Sequence, residues 1–309
     1  MQKIFELLYN AANSCTAKHL ALSGGLDSTI LAYLLKEKKP DCLVIISKDH
    51  IAHDLTYSQM AAKEFGLPLS TYMYDILQIL DAIEQTIKIL GNFNDIEIRN
   101  NVVPYLAISE VKKQGFDKII TGDGADELFA GYNFLMSKSD DELKKDLARI
   151  AKIMHFPSQK IGKALGVTVE SPFCHQDVVE FASGLSPGDL VGTHDDKKYG
   201  KFILRKTFEN TIPNSIVWRQ KSPMQEGAGT QGLTGFFDWA IPDDVFFEKA
   251  RKIKSSDNVT IRTKESMHYY EIFKKYHTLK QSHDNFCPDC RGMIEENSRF
   301  CRMCGRFPI

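Results

Sequence analysis

The chain has 309 residues, 43% of them hydrophobic, and its 39 Lys and Arg nearly balance 40 Asp and Glu, giving a formal net charge of −1. This composition excludes disordered and fibrous classes, and a charge so near zero does not indicate nucleic acid or a membrane as partner. No stretch approaches the roughly 20 apolar residues that span a bilayer, and the charged helical start, MQKIFELLYNAANS, is not a signal peptide. We therefore expect a cytoplasmic protein.

The first 125 residues alternate short apolar runs with helical patterns. Strands are predicted at KHLALS, CLVIIS, LSTYMY and DKIITG, with helices at about 28–38 and 54–65 and two further helical stretches before the last strand. Apolar strands separated by helices are typical of a buried parallel sheet. The sequence therefore predicts an α/β fold, a parallel sheet with helices on both faces.

The second half of the chain, from about 131 to 280, is predicted to be mostly helical. Its clearest amphipathic segments are DELKKDLARIAKIMHF and TKESMHYYEIFKKYHTLK, and the glycine-dense GAGTQGLTG (227–235) is interpreted as a surface loop. The polar segment TLKQSHDNF (278–286) is the best linker candidate. We therefore predict two domains, at 1–280 and 285–309.

A loop suited to phosphate follows the first predicted strand, with the sequence Ser23-Gly24-Gly25-Leu26-Asp27-Ser28. Two glycines allow an anion to approach the backbone, two hydroxyls can donate to it, and the following helix supplies aligned N–H groups. Asp27 would repel a bare anion, but it fits if Mg²⁺ bridges the carboxylate and the phosphates. Neither a Walker A loop nor G-x-G-x-x-G follows this strand. The alternative is an ordinary strand-to-helix turn capped by Ser or Asp.

A second loop, in DKIITGDGADELFAGY, carries three carboxylates within five residues: Asp123, Asp126 and Glu127. Carboxylates this close repel one another unless a cation or hydrogen bonds compensate them. Both loops would lie at the carboxyl ends of parallel strands, where ligands bind in open α/β sheets. The pattern therefore predicts a metal site facing the first loop, although acidic residues are also common at helix N-termini.

The first loop resembles the signature of the ATP-pyrophosphatase superfamily, whose members cleave ATP between the α- and β-phosphates. The second loop, with its G-D-G-A-D-E-L-F segment, and the stretch Trp218-Arg219-Gln220-Lys221 are similar to the asparagine synthetase family, in the family's order and over roughly residues 15–240. The resemblance implies an adenine nucleotide alpha hydrolase-like fold and an ATP-dependent carbon–nitrogen ligase that forms AMP.

The resemblance also implies where ATP binds. The phosphates would lie on the loop of residues 23–28, with backbone contacts to the nucleotide near Leu22 and Gly122. Asp27 and Asp126 would hold Mg²⁺ on the pyrophosphate.

The same resemblance implies the reaction. A substrate carboxylate, aspartate by analogy, would attack the α-phosphorus to give an acyl-adenylate, and ammonia would then replace AMP. Lys221 would neutralise charge on the phosphates, and Asp123 would accept a proton from the amine. A solvated lysine is the alternative for Lys221.

The sequence departs from the family in several places. Glutamine-dependent members begin with a glutaminase domain whose nucleophile is a cysteine directly after the initiator methionine. Here position 2 is Gln2, and the phosphate loop starts after only 22 residues, which leaves no room for that domain. We therefore expect free ammonia, ammonia from a separate glutaminase subunit, or another amine. Ala130 replaces a glycine frequent in the family. Lys197 and Lys198 are interpreted as a solvated basic face, while Lys201 and Arg205 stay undecided.

Four of the seven cysteines form two C-x-x-C pairs in the last 23 residues: Cys287, Cys290, Cys301 and Cys304. This spacing predicts a zinc ribbon with a structural site of four thiolates, with iron or disulfides as alternatives. A module so short would fold only with its metal. Its arginines leave contact with nucleic acid possible but not favoured.

Two other functions stay open at this level. Superfamily relatives adenylate tRNA bases, and several combine the loop with zinc modules, so a tRNA-modifying enzyme is one alternative. A non-catalytic adaptor with a zinc ribbon is the other.

Overall fold

The computed structural model describes residues 1–280, 285–294 and 298–309. The chain forms two compact units. The first comprises Met1–Ile46, Ala52–Met73 and Ala107–Pro223, and the second comprises Ser47–Ile51, Tyr74–Leu106 and Met224–Ile309. The predicted linker falls partly on residues 281–284, outside the described residues, and the division at 280 and 285 stays a prediction.

A parallel five-stranded sheet forms the centre of the first unit, with the order β3-β2-β1-β4-β5. Strand β1 pairs in parallel with β2 and β4, and β4 pairs in parallel with β5. An antiparallel hairpin of β6 and β7 lies outside the sheet. The strands are β1 His19–Ala21, β2 Asp41–Ser47, β3 Leu69–Tyr74, β4 Lys118–Ile120, β5 Thr168–Glu170, β6 Val191–His194 and β7 Lys197–Gly200.

Four of these strands and the α/β fold class were predicted, whereas β5 and the hairpin were not. Strand β5 has only three residues, two of them polar, so it carries no apolar run that would distinguish it from a loop. The hairpin turns at Asp195 and Asp196, both with positive φ, in a segment whose lysines indicated only a basic face.

Helices account for most of the remaining chain, including the two segments predicted from amphipathic periodicity, α7 and α16. The helices of the first half are α1 Gln2–Ser14, α2 Leu26–Leu34, α3 Asp54–Phe65, α4 Ile76–Leu90, α5 Asp95–Lys113, α6 Ala125–Leu128, α7 Asp140–Ile153 and α8 Pro157–Leu165. Those of the second half are α9 Gln176–Ser183, α10 Pro187–Leu190, α11 Phe202–Phe208, α12 Asn214–Val217, α13 Met224–Gly227, α14 Leu233–Ala240, α15 Asp243–Asp257 and α16 Lys264–Tyr276. Within the described ranges, no helix combines the length and apolar character needed to cross a bilayer.

The core of the first unit lies where α1, α2 and α11 pack together. Ile4 and Leu8 of α1 are fully buried, as are Ile30 of α2 and Phe208 of α11. Phe5 adds an aromatic contact with Phe208, with ring centroids 5.8 Å apart. Each fully buried side chain of this size stabilises the fold by about 1.5–3 kcal/mol, so this packing contributes to the stability of the first unit.

The second unit has its own core, in which α16 packs against α4 and α14. Phe93, Tyr270 and Phe273 are buried together, with Phe93 4.9 Å from Tyr270 between ring centroids. A buried ion pair joins Arg99 to Glu265 at 3.0 Å. The arrangement is that of a small helical core with one internal charge pair.

The glycine-dense segment 227–235 is not a surface loop, and that prediction was wrong. Ala228 is 1% exposed and Thr230 2% exposed, and Ala228 O accepts a hydrogen bond from Ser47 N–H at 2.9 Å. A Cβ on Gly229, whose φ is +85°, would lie 3.1 Å from Ile51 O. The glycines therefore allow close backbone packing inside the second unit, a use that composition alone does not distinguish from a loop.

Candidate active site

The predicted phosphate loop joins the end of β1 to the first turn of α2. Ser23 Oγ lies 3.2 Å from Ser28 Oγ and accepts a hydrogen bond from Gly25 N–H at 3.3 Å. Helix α2 begins at Leu26, two residues before the predicted start, so Asp27 and Ser28 lie in its first turn. The loop therefore places two hydroxyls beside the N–H end of a helix, where an anion is stabilised.

Gly24 brings the phosphate loop into direct contact with α3. Its φ is +73°, and a Cβ there would lie 2.2 Å from the backbone carbon of Tyr57 and 2.4 Å from Ser58 N. Only glycine fits this approach. The motif's first glycine is thus required by packing of the loop against α3.

The second loop touches the first. A Cβ on Gly122 would lie 3.0 Å from Asp27 Cβ and 3.5 Å from Ser28 N, so the backbones approach closely. Leu22, the other predicted backbone contact, donates its N–H to Leu43 O at 2.9 Å, and its side chain is buried. Because β1 and β4 are adjacent in the sheet, their carboxyl ends bring both loops to one edge.

Lys201 links the two loops through charge. Its Nζ lies 2.7 and 2.6 Å from the two carboxylate oxygens of Asp27 and 2.6 Å from Asp126 Oδ1. The lysine is 3% exposed and has a φ of +55°, directly after the hairpin. A Cβ on Gly131 would lie 2.3 Å from Lys201 Cε and 1.9 Å from Asp126 Oδ1, so glycine leaves room for the pair.

Lys221 reaches the same carboxylate from the Trp218–Lys221 stretch, with its Nζ 2.7 Å from Asp126 Oδ2. Burial alone would raise the pKa of Asp126, but Lys201 and Lys221 outweigh burial and hold this pKa below its usual range. Burial alone would lower the pKa of Lys221, but the negative charges of Asp126 and Asp27 outweigh the effect of burial and raise this pKa. Asp126 and Lys221 therefore both stay ionised at neutral pH.

The hydrogen-bond partners of the Asp123 carboxylate are two hydroxyl groups. Its Oδ2 accepts hydrogen bonds from Thr121 Oγ1 at 2.9 Å and from Ser158 Oγ at 2.5 Å. Burial raises the pKa of Asp123 even though both hydrogen bonds oppose the rise. The third acid of the loop, Glu127, accepts a hydrogen bond from Tyr132 at 2.5 Å, and burial raises its pKa too. The carboxylates of this loop thus divide into an ionised one, Asp126, and two that take up protons more readily.

A further buried acid, Asp54, lies near the phosphate loop and was not predicted as a site residue. It occupies the first turn of α3, and Arg219 approaches to 3.9 Å while stacking on the Tyr57 ring at 3.7 Å. Burial raises the pKa of Asp54 to about 7, although Arg219 and Lys221 both oppose the rise. In the sequence, Asp54 has only the pattern of an acid at a helix N-terminus, which is common and carries no site signal.

The donor set fits a divalent cation with phosphates. The Asp27 and Asp126 carboxylates converge on one ammonium group, so both can share a cation, and hard oxygen ligands are those that Mg²⁺ prefers. The two aspartates and two lysines of the cluster, with the hydroxyls of the loop, present charge of both signs to a triphosphate. This arrangement suits Mg-nucleotide better than a bare anion.

The asparagine synthase family model matches residues 19–157 and 136–252, which together include both loops and both lysines. The chain belongs to the asparagine synthase family. The predicted resemblance is thereby confirmed.

Curated relatives show the same relationship. The chain is 27% identical over 288 residues to a probable glutamine-hydrolyzing asparagine synthetase of Dictyostelium discoideum, covering 84% of this chain and 52% of that protein. It is 28% identical over 276 residues to glutamine-hydrolyzing asparagine synthetase 2 of Lotus japonicus, covering 82% and 47%. The chain therefore spans about half the length of the relatives it matches. An NMN synthetase structure from Francisella tularensis superposes loosely, with a TM-score of 0.40, 13% identity and coverage of 92% of this chain and 98% of that chain.

The cysteine cluster lies beyond the region matched by the asparagine synthase model. The four thiol sulfurs lie within 4.8 Å of one another, with 3.6 Å from Cys287 to Cys304 and 3.6 Å from Cys290 to Cys301. Tetrahedral sulfurs at a Zn–S distance of about 2.3 Å are about 3.8 Å apart, whereas a disulfide joins its sulfurs at about 2.05 Å. The spacing therefore fits a tetrahedral metal and not disulfides.

Two similar turns build this cluster. Arg291 N–H donates to Cys287 O at 2.9 Å, and Gly305 N–H donates to Cys301 O at 2.8 Å. Both donors have positive φ, +60° and +79°. The Arg291 guanidinium stacks on the Phe286 ring at 3.4 Å, so this arginine is used inside the module.

Lys201 and Arg205, which motif analysis left undecided, both belong to the candidate site. Arg205 is 4% exposed, donates from Nε to Gly200 O at 2.9 Å, and donates from one terminal nitrogen, Nη1, to both Val217 O and Arg219 O. It therefore holds the backbone beside Lys201 and the backbone beside Lys221. Lys197 and Lys198 are exposed, as predicted for a basic face.

Ala130 has a left-handed backbone conformation, which favours glycine. Its φ is +55°, which L-residues adopt at a cost of about 1–2 kcal/mol. The side chain is fully buried, and a Cβ on Gly200 would lie 2.0 Å from Ala130 O. The turn therefore accommodates alanine only with a strained backbone.

Proposed function

We propose that this chain is an ATP-dependent amide-forming ligase that adenylates a carboxylate and passes the acyl group to ammonia. The observation that carries the proposal is the convergence of Asp27 and Asp126, from two different loops, on Lys201 and Lys221 at the carboxyl edge of the sheet. Family membership and the names of the curated relatives support the same chemistry.

The first step is attack by the substrate carboxylate on the α-phosphorus of ATP. The new bond joins a carboxylate oxygen to phosphorus while the bond to the β-phosphate oxygen breaks, giving an acyl-adenylate and pyrophosphate. The loop of residues 23–28 binds the phosphates, and the Lys201 and Lys221 ammonium groups stabilise negative charge on the departing pyrophosphate. Asp27 and Asp126 would hold Mg²⁺, which when bound neutralises phosphate charge.

The second step is attack by a neutral amine on the acyl carbon. The C–N bond forms, AMP leaves, and the amine loses one proton to a base. Asp123 is proposed to accept that proton, because a carboxyl whose pKa is raised by burial takes up a proton more readily than an exposed one. Its hydrogen bonds from Thr121 and Ser158 fix the orientation of the carboxyl.

Aspartate is the proposed acid and asparagine the proposed product, from the names of the relatives. Ammonia is the proposed nucleophile, either free or delivered by a separate glutaminase subunit. Zn²⁺ is proposed to occupy the four-cysteine cluster as a structural ion, since four thiolates leave no open position.

The direct test is pyrophosphate release from the purified protein with Mg-ATP and ammonium, comparing aspartate, other amino acids and bulk tRNA. Release that requires aspartate and yields asparagine with AMP supports the proposal. Release that requires a different amino acid supports the proposed mechanism but contradicts aspartate as the substrate. Release stimulated only by tRNA, or no ATP turnover, contradicts the ligase.

A matched pair of variants tests the metal assignment. Asp126→Asn should lower pyrophosphate release by at least about 100-fold, because charge stabilisation in the transition state depends on this carboxylate. Asp41→Asn, which changes an exposed aspartate at the start of β2, should retain wild-type release. Circular dichroism should show that both variants are folded. Wild-type turnover by Asp126→Asn with Mg-ATP would remove Asp126 from the site.

A further inference from the structure

The C-terminal cysteine module packs against the turn that joins α4 to α5. Phe93 N–H donates a hydrogen bond to Met303 O at 2.9 Å. A Cβ on Gly305 would lie 2.8 Å from Asn94 Oδ1, so these two residues are in close contact. Phe93 and Asn94 are each 1% exposed. The module therefore covers the turn and supplies a hydrogen-bond acceptor for a buried N–H.

The module also contacts the segment between α15 and α16. Asp289 O accepts a hydrogen bond from Thr260 N–H at 2.8 Å. The Asp289 carboxylate pairs with Arg262 at 2.5 Å and with Arg306 at 3.1 Å. Asp289 is 6% exposed and lies between two of the cysteines in sequence. It thus ties a neighbouring segment and both cysteine turns together.

In both contacts, the residues that the module contributes are next to a cysteine of the cluster. Met303 and Gly305 flank Cys304, and Asp289 precedes Cys290. The described residues of the module form turns and isolated β-bridges, such as the one between Phe286 and Met293, but no helix or strand. A segment with so little regular structure depends on a shared metal to bring its two turns together.

We propose that the metal held by Cys287, Cys290, Cys301 and Cys304 acts as a brace for the second unit, fixing the turn between α4 and α5 and the segment 258–263. The ion is the structural Zn²⁺ of the proposed function, but the brace requires no statement about ATP or substrate. Its role is thus intramolecular, in contrast to that of a module that recruits a partner.

The braced turn leads into a chain of contacts within the same unit. Helix α5 starts at Asp95, and one turn later Arg99 O accepts a hydrogen bond from Thr230 Oγ1 at 2.9 Å. Asn100 Oδ1 accepts a hydrogen bond from Gln225 N–H at 3.1 Å. The segment held in this way, 224–232, begins three residues after Lys221 in sequence. Loss of the metal should therefore loosen α5 and this segment as well as the turn.

Amide hydrogen exchange of the full chain tests the brace. The protein is compared as purified, after metal removal by a chelator with reductant, and after one equivalent of Zn²⁺ is returned. Removal should speed exchange at Phe93 and Thr260 at least about tenfold, because both N–H groups bond to carbonyls of the module, and Zn²⁺ should restore protection. Leu22, whose N–H bonds within the sheet of the first unit, is the internal control.

Arg262→Ala gives an independent measurement. This variant keeps the four thiolates and should keep one metal per chain, but it loses the ion pair to Asp289. Exchange at Thr260 should become faster with metal bound, while Arg251→Ala, at an exposed position of α15, should leave it unchanged.

The outcomes are distinct. Unchanged exchange at Phe93 and Thr260 after metal removal overturns the brace, as does purified chain that binds no metal. If exchange at Leu22 also becomes faster because the metal-free chain unfolds, the Arg262→Ala variant decides. Faster exchange at Thr260 in that variant supports the brace, and unchanged exchange there overturns it. Since no ATP or substrate is present, failure of the ligase assay does not affect this experiment.

Discussion

Lys201 donates hydrogen bonds to both carboxylate oxygens of Asp27, at 2.7 and 2.6 Å, although the two residues are 174 positions apart in sequence. The same ammonium group reaches Asp126 at 2.6 Å. One lysine therefore compensates two carboxylates that would otherwise repel each other.

Lys201→Met should leave the carboxylates of Asp27 and Asp126 without the ammonium group that they share. Removing one partner of a buried ion pair costs about 3–5 kcal/mol, so the variant should lose about 3 kcal/mol of unfolding free energy in metal-free buffer. Mg²⁺ without nucleotide should then raise the melting temperature more than it does in wild type, since the carboxylates need a cation. Pyrophosphate release should fall at least about 100-fold.

Lys197→Met is the control for this variant, because Lys197 belongs to the same hairpin and is exposed. Its stability and turnover should match wild type. Equal responses to Mg²⁺ in Lys201→Met and in wild type would contradict the shared role of the lysine.

Gly24→Ala tests the close approach between the phosphate loop and α3. Its Cβ would lie 2.2 Å from the Tyr57 backbone, so the loop or the helix must move. Gly66→Ala is a matched control, because Gly66 has a similar φ of +64° but nothing within 4 Å of its added Cβ. The control isolates the cost of positive φ, about 1–2 kcal/mol.

Urea unfolding should show Gly24→Ala to be at least about 2 kcal/mol less stable than Gly66→Ala, since overpacking costs about 1–3 kcal/mol beyond the backbone term. Binding of Mg-ATP should weaken in Gly24→Ala alone. Similar losses of stability in the two variants would show that the loop and α3 separate easily.

The position of the two glycine–carboxylate loops and of the four predicted strands could be read from the sequence because their signals are local. Apolar runs of four to six residues and glycine–carboxylate motifs can be recognised within a single window of sequence. The role of Lys201 depends on Asp27 and Asp126, which are far away in sequence, and nothing within KKYGKFILRK distinguishes this lysine from its solvated neighbours. Burial of segment 227–235 likewise depends on Ser47 and Arg99, so composition could not reveal it.

Asp54 should make stability depend on pH. Its pKa is raised from 3.8 to about 7, so the folded protein binds the proton more tightly than the unfolded chain. The stability that this proton contributes is fully present below pH 4 and is lost as the pH rises through about 7. At about 1.4 kcal/mol per pKa unit, the loss reaches about 4 kcal/mol.

Asp54→Asn should remove this dependence, because the amide does not titrate. Denaturant unfolding measured from pH 4 to 8 should show a smaller decline in the variant than in wild type, and Asp41→Asn should keep the wild-type slope. Parallel curves for wild type and Asp54→Asn would mean that the folded pKa is near that of the unfolded chain.

Arg205→Lys tests whether one guanidinium sets the distance between Lys201 and Lys221. The variant keeps the charge, but its single nitrogen cannot stand in for both Nε, which bonds to Gly200 O, and Nη1, which bonds to Val217 O and Arg219 O, so Lys201 and Lys221 lose their common support. A displacement of about 1 Å in such a site can cost about 100-fold in rate. We expect kcat for pyrophosphate release to fall tenfold to 100-fold, roughly within that limit, while KM for ATP changes less. Arg149→Lys, an exposed position on α7, is the control and should behave as wild type. A rise in KM with unchanged kcat would instead assign Arg205 to nucleotide binding and remove its effect on the transition state.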